Sequence, residues 1–453
     1  MVGTYGPKHS AATEPGVAAA SDVVVSVFFA PAGYSSRHRA WYAAYNKQTH
    51  LWASGEIDPN TPFEAIVDLS IACDSHDGGF LACALAGVDI LTCRFEPGPV
   101  SGEVTPRQWE SAHHSSPGFS LDKPWIVAGD PDMPAGQEYY VVYMIGSDAD
   151  DFGYGYLRSV NGGESWDQGP IKFASSAELV RGQFCAQPTV DGDGPLYVAY
   201  AAGNTIQFLM GQDANPGGPG GVEFSRLCKE PGEPGEDPPP VVVTVNRTYQ
   251  LNLCIPGNFD TIGGRVPQLA VDPSNPNRLC IVYHDTPTSD PGDKDLNVYL
   301  HMLTKTGEYW ELGPKRQIND PLATTYESDQ FMPSPIVDKS GRIHVIYVDD
   351  QKHTDGPEGD LQPDTMQNPK FDVFYAWSED QGQNWSYREL FATPPEPALD
   401  CVLQHFTLRE YIGIAWYTSG STSEIWTAFP GTYTLDPQAK DAVIWSSLID
   451  WSE

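Results

Sequence analysis

Carboxyl and imidazole groups that could carry an acid–base reaction stand at the ends of short apolar segments of this 453-residue chain. Asp122, Asp329 and Asp400 come just before such segments, and His284 with Asp285 follows another. Two carboxyl groups flanking a sugar linkage can act as general acid and general base, and a histidine can transfer a proton near neutral pH. These five residues are the predicted catalytic groups. For His284 beside Asp285, a hydrogen-bonded loop position is the alternative.

Cationic and amide side chains occupy similar positions and predict substrate binding. Arg181 and Arg265 could each hold a planar carboxylate through two parallel hydrogen bonds, with Arg37 as a third such group. The other predicted binding residues are Lys123, Gln183 and Gln330. Ordinary ion pairs are the alternative role for the arginines. An acidic ligand is therefore expected, provided that a local cluster of arginines overcomes the charge of the whole chain.

Metal and thiol chemistry is only weakly indicated. The acidic runs at 130–132 and 148–151 resemble Ca²⁺ ligand runs without completing a motif, so Ca²⁺ is an open option and no cofactor is required. The eight cysteines lack the close C-x-x-C pairs of a zinc or redox site. Disulfides Cys73–Cys83 and Cys228–Cys254 are one interpretation, and buried free thiols are the other.

The charge balance excludes some classes of partner. Asp and Glu number 60 against 26 Lys and Arg, which gives a formal charge of −34 that repels phosphate backbones. Nucleic acid is therefore not an expected partner. No apolar run approaches the length of about 20 residues that spans a bilayer, so membrane insertion is not expected either. No signal peptide is recognised; a secreted protein is favoured on fold grounds, and a cytoplasmic one stays open.

The elements that must position these side chains form an internal repeat. A proline, an apolar run, an aspartate and a turn lead to a Tyr-rich run, most clearly at 124–143, 188–200, 267–283 and 335–347, with weaker copies from about 69 and 402. Each unit reads as two short strands joined by a tight turn. Such repetition is typical of an all-β protein built from equivalent sheets.

Two octapeptides identify the type of sheet. Ser378-Glu379-Asp380-Gln381-Gly382-Gln383-Asn384-Trp385 resembles the Asp box, S-x-D-x-G-x-x-W, of the sialidase superfamily, and the segment 159–166 matches it with Asn161 in place of Asp. The resemblance implies a single β-propeller of four-stranded antiparallel blades, with the boxes in turns between third and fourth strands. The box stabilises a blade and carries no chemistry.

Seven blades are favoured over six. The strands expected around 23–29, 40–45 and 51–54 supply the seventh blade, whereas in a six-bladed ring they would complete the last sheet by pairing the two chain ends. The predicted domains are an N-terminal tail at 1–21, a propeller at 22–436 with a Pro-rich loop insertion near 229–242, and a C-terminal closing segment at 437–453.

A propeller brings the predicted site residues to one axial mouth, where they differ from blade to blade as a single composite site requires. In sialidase-like enzymes three arginines hold a substrate carboxylate, a Tyr beside a Glu is the nucleophile, and an Asp is acid and base. Other propeller enzymes cleave uronic-acid polysaccharides with His and Tyr. The resemblance thus implies a glycoside hydrolase or polysaccharide lyase acting on a glycan. The alternatives are a lectin, an interaction scaffold and an intracellular enzyme of small molecules.

Overall fold

A computed structural model of the chain describes residues 13–31, 38–63, 65–73, 79–98, 101–115, 119–129, 138–146, 152–173, 179–182, 187–190, 194–213, 221–232, 236–246, 254–255, 259–260, 267–289, 296–319, 330–349, 372–390, 412–419, 422–432 and 442–452. All regular elements in these ranges are β-strands. Within them, no helix is long and apolar enough to cross a membrane.

Apart from one separate two-stranded pair, the described strands form seven antiparallel sheets in chain order, so the prediction of a seven-bladed propeller is confirmed. Blade 1 contains β1 (Thr13–Ala19), β2 (Val23–Pro31), β3 (His38–Asn46) and β4 (Leu51–Glu56). Blade 2 contains β5 (Val67–Cys73), β6 (Phe80–Ala86), β7 (Asp89–Pro97), β8 (Val104–Pro106) and β9 (Glu110–His114). Blade 3 contains β10 (Ser120–Ala128), β11 (Tyr139–Gly146), β12 (Phe152–Ser159), β13 (Asp167–Pro170) and β14 (Arg181–Gly182).

Blades 4 to 7 repeat this arrangement. Blade 4 contains β15 (Gln187–Val190), β16 (Leu196–Ala202), β17 (Thr205–Asp213), β18 (Val222–Arg226) and β19 (Val242–Thr244). A small pair follows, β20 (Cys254–Ile255) and β21 (Phe259–Asp260). Blade 5 contains β22 (Gln268–Val271), β23 (Arg278–Asp285), β24 (Asn297–Thr306), β25 (Tyr309–Leu312) and β26 (Arg316–Gln317). Blade 6 contains β27 (Gln330–Val337), β28 (Ile343–Asp349), β29 (Asp372–Ser378) and β30 (Ser386–Glu389). Blade 7 contains β31 (Gly413–Ser419), β32 (Thr422–Thr432) and β33 (Ala442–Ser452).

Burial between blades explains why the strand segments read as continuous apolar runs. Every residue of β6 is buried, because one face of blade 2 packs on blade 1 and the other on blade 3. Seven hydrophobic clusters of described residues lie one at each junction of neighbouring blades, including the junction of blades 7 and 1. Each blade thus stabilises both of its neighbours.

In the described part of the chain, the ring closes by packing of blade 7 on blade 1 and not by a shared sheet. Blade 1 is built only from N-terminal strands and blade 7, in its described part, only from C-terminal ones, so the six-bladed alternative is wrong. The stretch 1–21, predicted as a tail, contains strand β1. Val17 and Ala19 of this strand are buried in the same hydrophobic cluster as Trp426 of blade 7. Strand β33 of the closing segment pairs with β32. The Pro-rich stretch lies between β18 and β19, which both pair with β17.

The half-buried and buried cysteines that the structure describes include free thiols. Cys73, Cys83 and Cys228 form no disulfide. The register of β5 and β6 places Cys83 opposite Ser70, three positions from Cys73, which keeps the two sulfurs apart. Burial raises the pKa of the Cys83 thiol to about 12, so that group is inert at neutral pH.

Candidate functional site

One face of the ring collects the starts of the first strands and the ends of the second strands, and we call this face the mouth. The antiparallel order dictates that both meet there, whereas the turns between third and fourth strands lie on the opposite face. Four first strands carry a β-bulge near the mouth: β1 between Thr13 and Gly16, β5 between Val67 and Ser70, β10 between Asp122 and Trp125, and β27 between Phe331 and Ser334.

The bulges place three non-glycine residues in the left-handed region. Their φ angles are 53° at Asp68, 49° at Lys123 and 52° at Met332. This conformation costs roughly 1 kcal/mol or more for residues other than glycine, and strained backbone of this kind clusters at functional sites. The side chains at the bulges of blades 2, 3 and 6 are therefore candidates for a functional site.

Two of these strained residues form a buried ion pair that joins blades 2 and 3. Lys123 Nζ lies 2.5 Å from Asp68 Oδ1, and the two side chains are only 9% and 5% exposed. The backbone N–H of Lys123 also donates to Asp122 Oδ1 at 3.0 Å. The third strained residue, Met332, is buried among apolar groups between blades 6 and 7. The charged pair thus occurs at one junction of the ring and not at the equivalent bulge of blade 6.

Asp122 is the group in this cluster with acid character. Burial raises the pKa of its carboxyl, and the neighbouring Asp68 carboxylate, which is within hydrogen-bond reach, raises it further, while Lys123 acts in the opposite sense. Asp122 is half-buried, so its carboxyl has some contact with solvent. A raised pKa is the direction of shift that a general acid needs, because it favours the protonated carboxyl.

Asp285, predicted as catalytic, is held by donors at the mouth of blade 5. Both of its carboxylate oxygens accept the backbone N–H of Asn246 at 3.0 Å, and Lys315 Nζ donates to Oδ2 at 2.9 Å. Lys315 also stands 3.8 Å from the ring centroid of Tyr299. Its neighbour His284 is buried. Because Asn246 follows the last strand of blade 4, these hydrogen bonds connect blade 4 to blade 5.

Gln330, predicted as a binding residue, belongs to a buried amide network. Its Oε1 accepts from Asn319 Nδ2 at 2.8 Å, and the same nitrogen donates to Asn297 Oδ1 at 2.8 Å. The network ties the start of β27 to blade 5. Because all three residues are buried, the described arrangement gives Gln330 a structural role.

Arg181 lies at the height of the mouth but on the outer side of blade 3. Arg181 stands six residues before the inner strand β15, but its own strand β14 pairs with β12 at the outer edge of blade 3, with Arg181 opposite Gly153. Five predicted site residues lie outside the described part of the chain: Arg37, Gln183, Arg265, Asp329 and Asp400. The described candidates therefore fall into separate places on blades 3, 5 and 6.

Sequence reasoning missed Asp68. The signal was present, because Asp68 precedes Leu69-Ser70-Ile71 as Lys123 precedes Pro124-Trp125-Ile126 in the next copy of the repeat. Only the folded ring shows that the two residues, 55 positions apart, bind each other.

A cavity of about 680 Å³ runs along the axis below the mouth. All seven innermost strands contribute to its wall, through residues of β1, β5, β10, β15, β22, β27 and β31. Trp125, three positions after Asp122, is among its lining residues and is half-buried. Within the described residues, no cluster of three or more His, Cys, Asp or Glu side chains is arranged to hold a metal ion. The acidic runs at 130–132 and 148–151 lie outside the described part.

The two octapeptide turns lie on the face opposite the mouth. In the second turn Asp380 Oδ1 accepts backbone N–H groups of Gln383 and Asn384 at 3.0 and 2.8 Å, which lowers the pKa of Asp380 to about 2. Asn161 accepts the Ser165 N–H at 3.0 Å in the first turn. Both turns are therefore parts of the framework and lie away from the candidate site.

Solved structures of several carbohydrate-active proteins resemble this chain. The polysaccharide lyase Uly1 matches over 98% of this chain and 90% of its own, with 10% identity and a TM-score of 0.49. A Trypanosoma rangeli sialidase in complex with sialic acid covers 94% and 67%, with 9% identity and a TM-score of 0.43. A Niastella koreensis GH74 enzyme covers 91% and 64%, with 13% identity and a TM-score of 0.38.

No protein-family model matches the chain, and no curated protein matches it. At such identities and scores the structural likenesses carry no argument about activity. The propeller fold follows from the strand order of the chain itself.

Proposed function

We propose that this propeller is a carbohydrate-active enzyme, a glycoside hydrolase whose general acid is Asp122. The observation that carries the proposal is the cluster at the mouth of blades 2 and 3. There, a half-buried carboxyl with a raised pKa adjoins the buried, strained pair of Asp68 and Lys123. Strain at this position costs stability, and a functional role would account for keeping it.

In the proposed reaction the proton of Asp122 passes to the glycosidic oxygen as the bond from that oxygen to the anomeric carbon breaks. Water supplies the hydroxyl that replaces the leaving group at the anomeric carbon, and its remaining proton passes to a second carboxylate and finally restores Asp122. The Lys123 N–H, 3.0 Å from Asp122 Oδ1, stabilises the carboxylate that forms. The direction of the pKa shift suits a general acid, because burial favours the protonated form of the Asp122 carboxyl.

The second carboxylate must come from another blade. Paired carboxyl groups in glycosidases stand about 5 Å apart, or about 6.5–9.5 Å apart when a water fits between them. Asp68 is within hydrogen-bond reach of Asp122 and is therefore too close for that role. Asp329 and Asp400 are the proposed candidates. Asp329 directly precedes the inner strand β27, whereas Asp400 precedes a run from about 402 that the sequence predicts as an inner strand and stands 13 positions before β31.

The finer features of the proposal come from the sequence. The substrate is an acidic glycan held by Arg265 and Arg37 with Gln183, the octapeptide turns are Asp boxes, the protein acts outside the cell, and Ca²⁺ is not required for the chemistry. The charge of −34 makes a local arginine cluster necessary for such a substrate, because the average field of the protein repels it.

The test compares the wild-type protein with Asp122→Asn and a matched control, Glu223→Gln, which changes an exposed acid on β18. Each is incubated, with and without Ca²⁺, with 3′-sialyllactose, trigalacturonate, a hyaluronan tetrasaccharide and cellotetraose, and product masses are followed. We expect a product that has gained water, a loss of about 10²-fold or more in kcat for Asp122→Asn, and no change for Glu223→Gln.

Other outcomes would overturn the proposal. An unsaturated product would establish a lyase, and retention of a glycan without turnover would favour a lectin. Full activity of Asp122→Asn would remove the general acid from the mechanism.

A further inference from the structure

The bulge in β10 has a geometric effect on the two side chains beside it. In a regular strand, residues three apart point to opposite faces. Asp122 and Trp125, however, pair with Met144 and Val142, which are two apart on β11. The extra residue, Lys123, therefore returns Asp122 and Trp125 to the same face of blade 3.

The packing of neighbouring residues agrees with this register. Leu121 and Ile126 both belong to the hydrophobic cluster between blades 2 and 3. Met144 and Val142, the partners of Asp122 and Trp125, both belong to the cluster on the other side, between blades 3 and 4. In the backbone register Asp122 and Trp125 thus follow each other on one side of β10. The acid is nearer the mouth, where its carboxyl reaches Asp68 of blade 2, and the indole is lower in the axial cavity.

The wall of the cavity combines this indole with backbone polar groups. In the described structure, each of the seven innermost strands pairs with one neighbouring strand, and its other edge borders the cavity. Backbone groups on such an edge can hydrogen-bond a ligand or a neighbouring blade, as the Ile126 N–H does with Ser70 Oγ at 2.8 Å. A sugar matches this wall, because its hydroxyls both donate and accept and its ring has an apolar face that can lie on a tryptophan. The volume, about 680 Å³, lies within the range of small-molecule sites.

We infer that the axial cavity binds the terminal sugar residue of the substrate, with its ring on Trp125 and its glycosidic oxygen directed toward Asp122. This inference rests on the proposed function and adds a binding subsite and a mode of attack. A ring of seven blades encloses the axis, so a polysaccharide can enter only by a chain end. The enzyme therefore releases short products from chain ends and does not cut chains internally.

The binding test uses Asp122→Asn protein, in which turnover is slowed, and the same four saccharides as probes. We expect Trp125→Ala in this background to weaken binding of the recognised probe about tenfold, as the loss of one stacking contact implies, and Trp125→Phe to weaken it less. The matched control is Trp52→Phe, which changes a half-buried tryptophan on β4 that does not line the cavity. Equal melting temperatures establish that each variant is folded.

The product test uses wild-type protein on the polymer that corresponds to the recognised probe. Chain-end attack gives mono- or disaccharides from the start of the reaction while viscosity falls slowly. Unchanged binding in both Trp125 variants, or a rapid fall in viscosity with few new chain ends, would overturn the inference while the loss of activity in Asp122→Asn kept the proposed function intact. Neither turnover nor binding of any probe would overturn both.

Discussion

The closure of the ring depends on a lysine that connects the first blade to the last. Lys47 Nζ, at the end of β3, lies 2.6 Å from Glu424 Oε2 on β32. The same ammonium stands 4.3 Å from the ring centroid of Tyr417 and 5.9 Å from that of Trp426. Burial lowers the pKa of Lys47, and Glu424 opposes that shift. No sheet in the described structure joins blades 1 and 7, so Lys47→Met should weaken the junction directly.

The expected loss follows from the exposure of the pair. The side chains of Lys47 and Glu424 are 11% and 28% exposed, so this ion pair is intermediate between surface and buried pairs. Surface pairs contribute about 0.2–1 kcal/mol to stability, and disruption of a buried pair costs about 3–5 kcal/mol. A cation over aromatic rings adds about 1 kcal/mol. We therefore expect Lys47→Met to lower the free energy of unfolding by about 2 kcal/mol. A double-mutant cycle with Glu424→Gln should give a coupling of about 1 kcal/mol.

Urea unfolding measures the total decrease in the free energy of unfolding, and hydrogen exchange shows which strands lose amide protection. Amide protection should decrease first in β1, β31 and β32, because the junction opens locally before the ring unfolds. Arg107→Met is the matched control, since Arg107 pairs with Glu96 inside blade 2 and both side chains are about half exposed. A loss no larger than in the control, or protection lost equally in all blades, would refute the assignment of Lys47 to ring closure.

Two further predictions concern the framework of blades 4 to 6. Burial lowers the pKa of His344 from 6.5, so the unfolded chain takes up a proton first as pH falls. The free energy of unfolding should therefore decrease below pH 6.5, by at most about 1.4 kcal/mol per pH unit, until the folded-state pKa is passed. His344→Phe should reduce this slope in urea unfolding at several acidic pH values, and an unchanged slope would contradict the assignment. Gly382→Ala should lower the melting temperature, because φ is +79° and a Cβ would collide with the Leu300 side chain. Gly203→Ala, at φ +61° with no atom within 4 Å of its Cβ, should cost less, and equal shifts would show that the contact with Leu300 is unimportant.

The framework could be predicted because it is encoded locally. The runs at 188–200 and 335–347 show their strand pairs, and Asp380 with Gly382 marks a turn, all within a few residues of one another. The seventh blade also followed from local strand patterns near the N-terminus. Each of these features requires only backbone preferences and a period of apolar residues, which a single segment carries by itself.

Only the tertiary structure could assign roles to the polar residues. Gln330 and Asp285 looked like site residues in the sequence, and in the ring they form hydrogen bonds between neighbouring blades. The sequence gives no sign that Lys123 adopts a φ of 49°, since lysine rarely does so.

The sequence by itself thus determined a seven-bladed β-propeller with its repeats, turns and approximate mouth. The pairing of Asp68 with Lys123, the raised pKa of Asp122 and the position of Trp125 in the axial cavity were decided by the closed ring. The physical reason is distance along the chain. Strands and turns arise from residues close in sequence, whereas burial and charge at the mouth depend on which neighbouring blade each side chain meets.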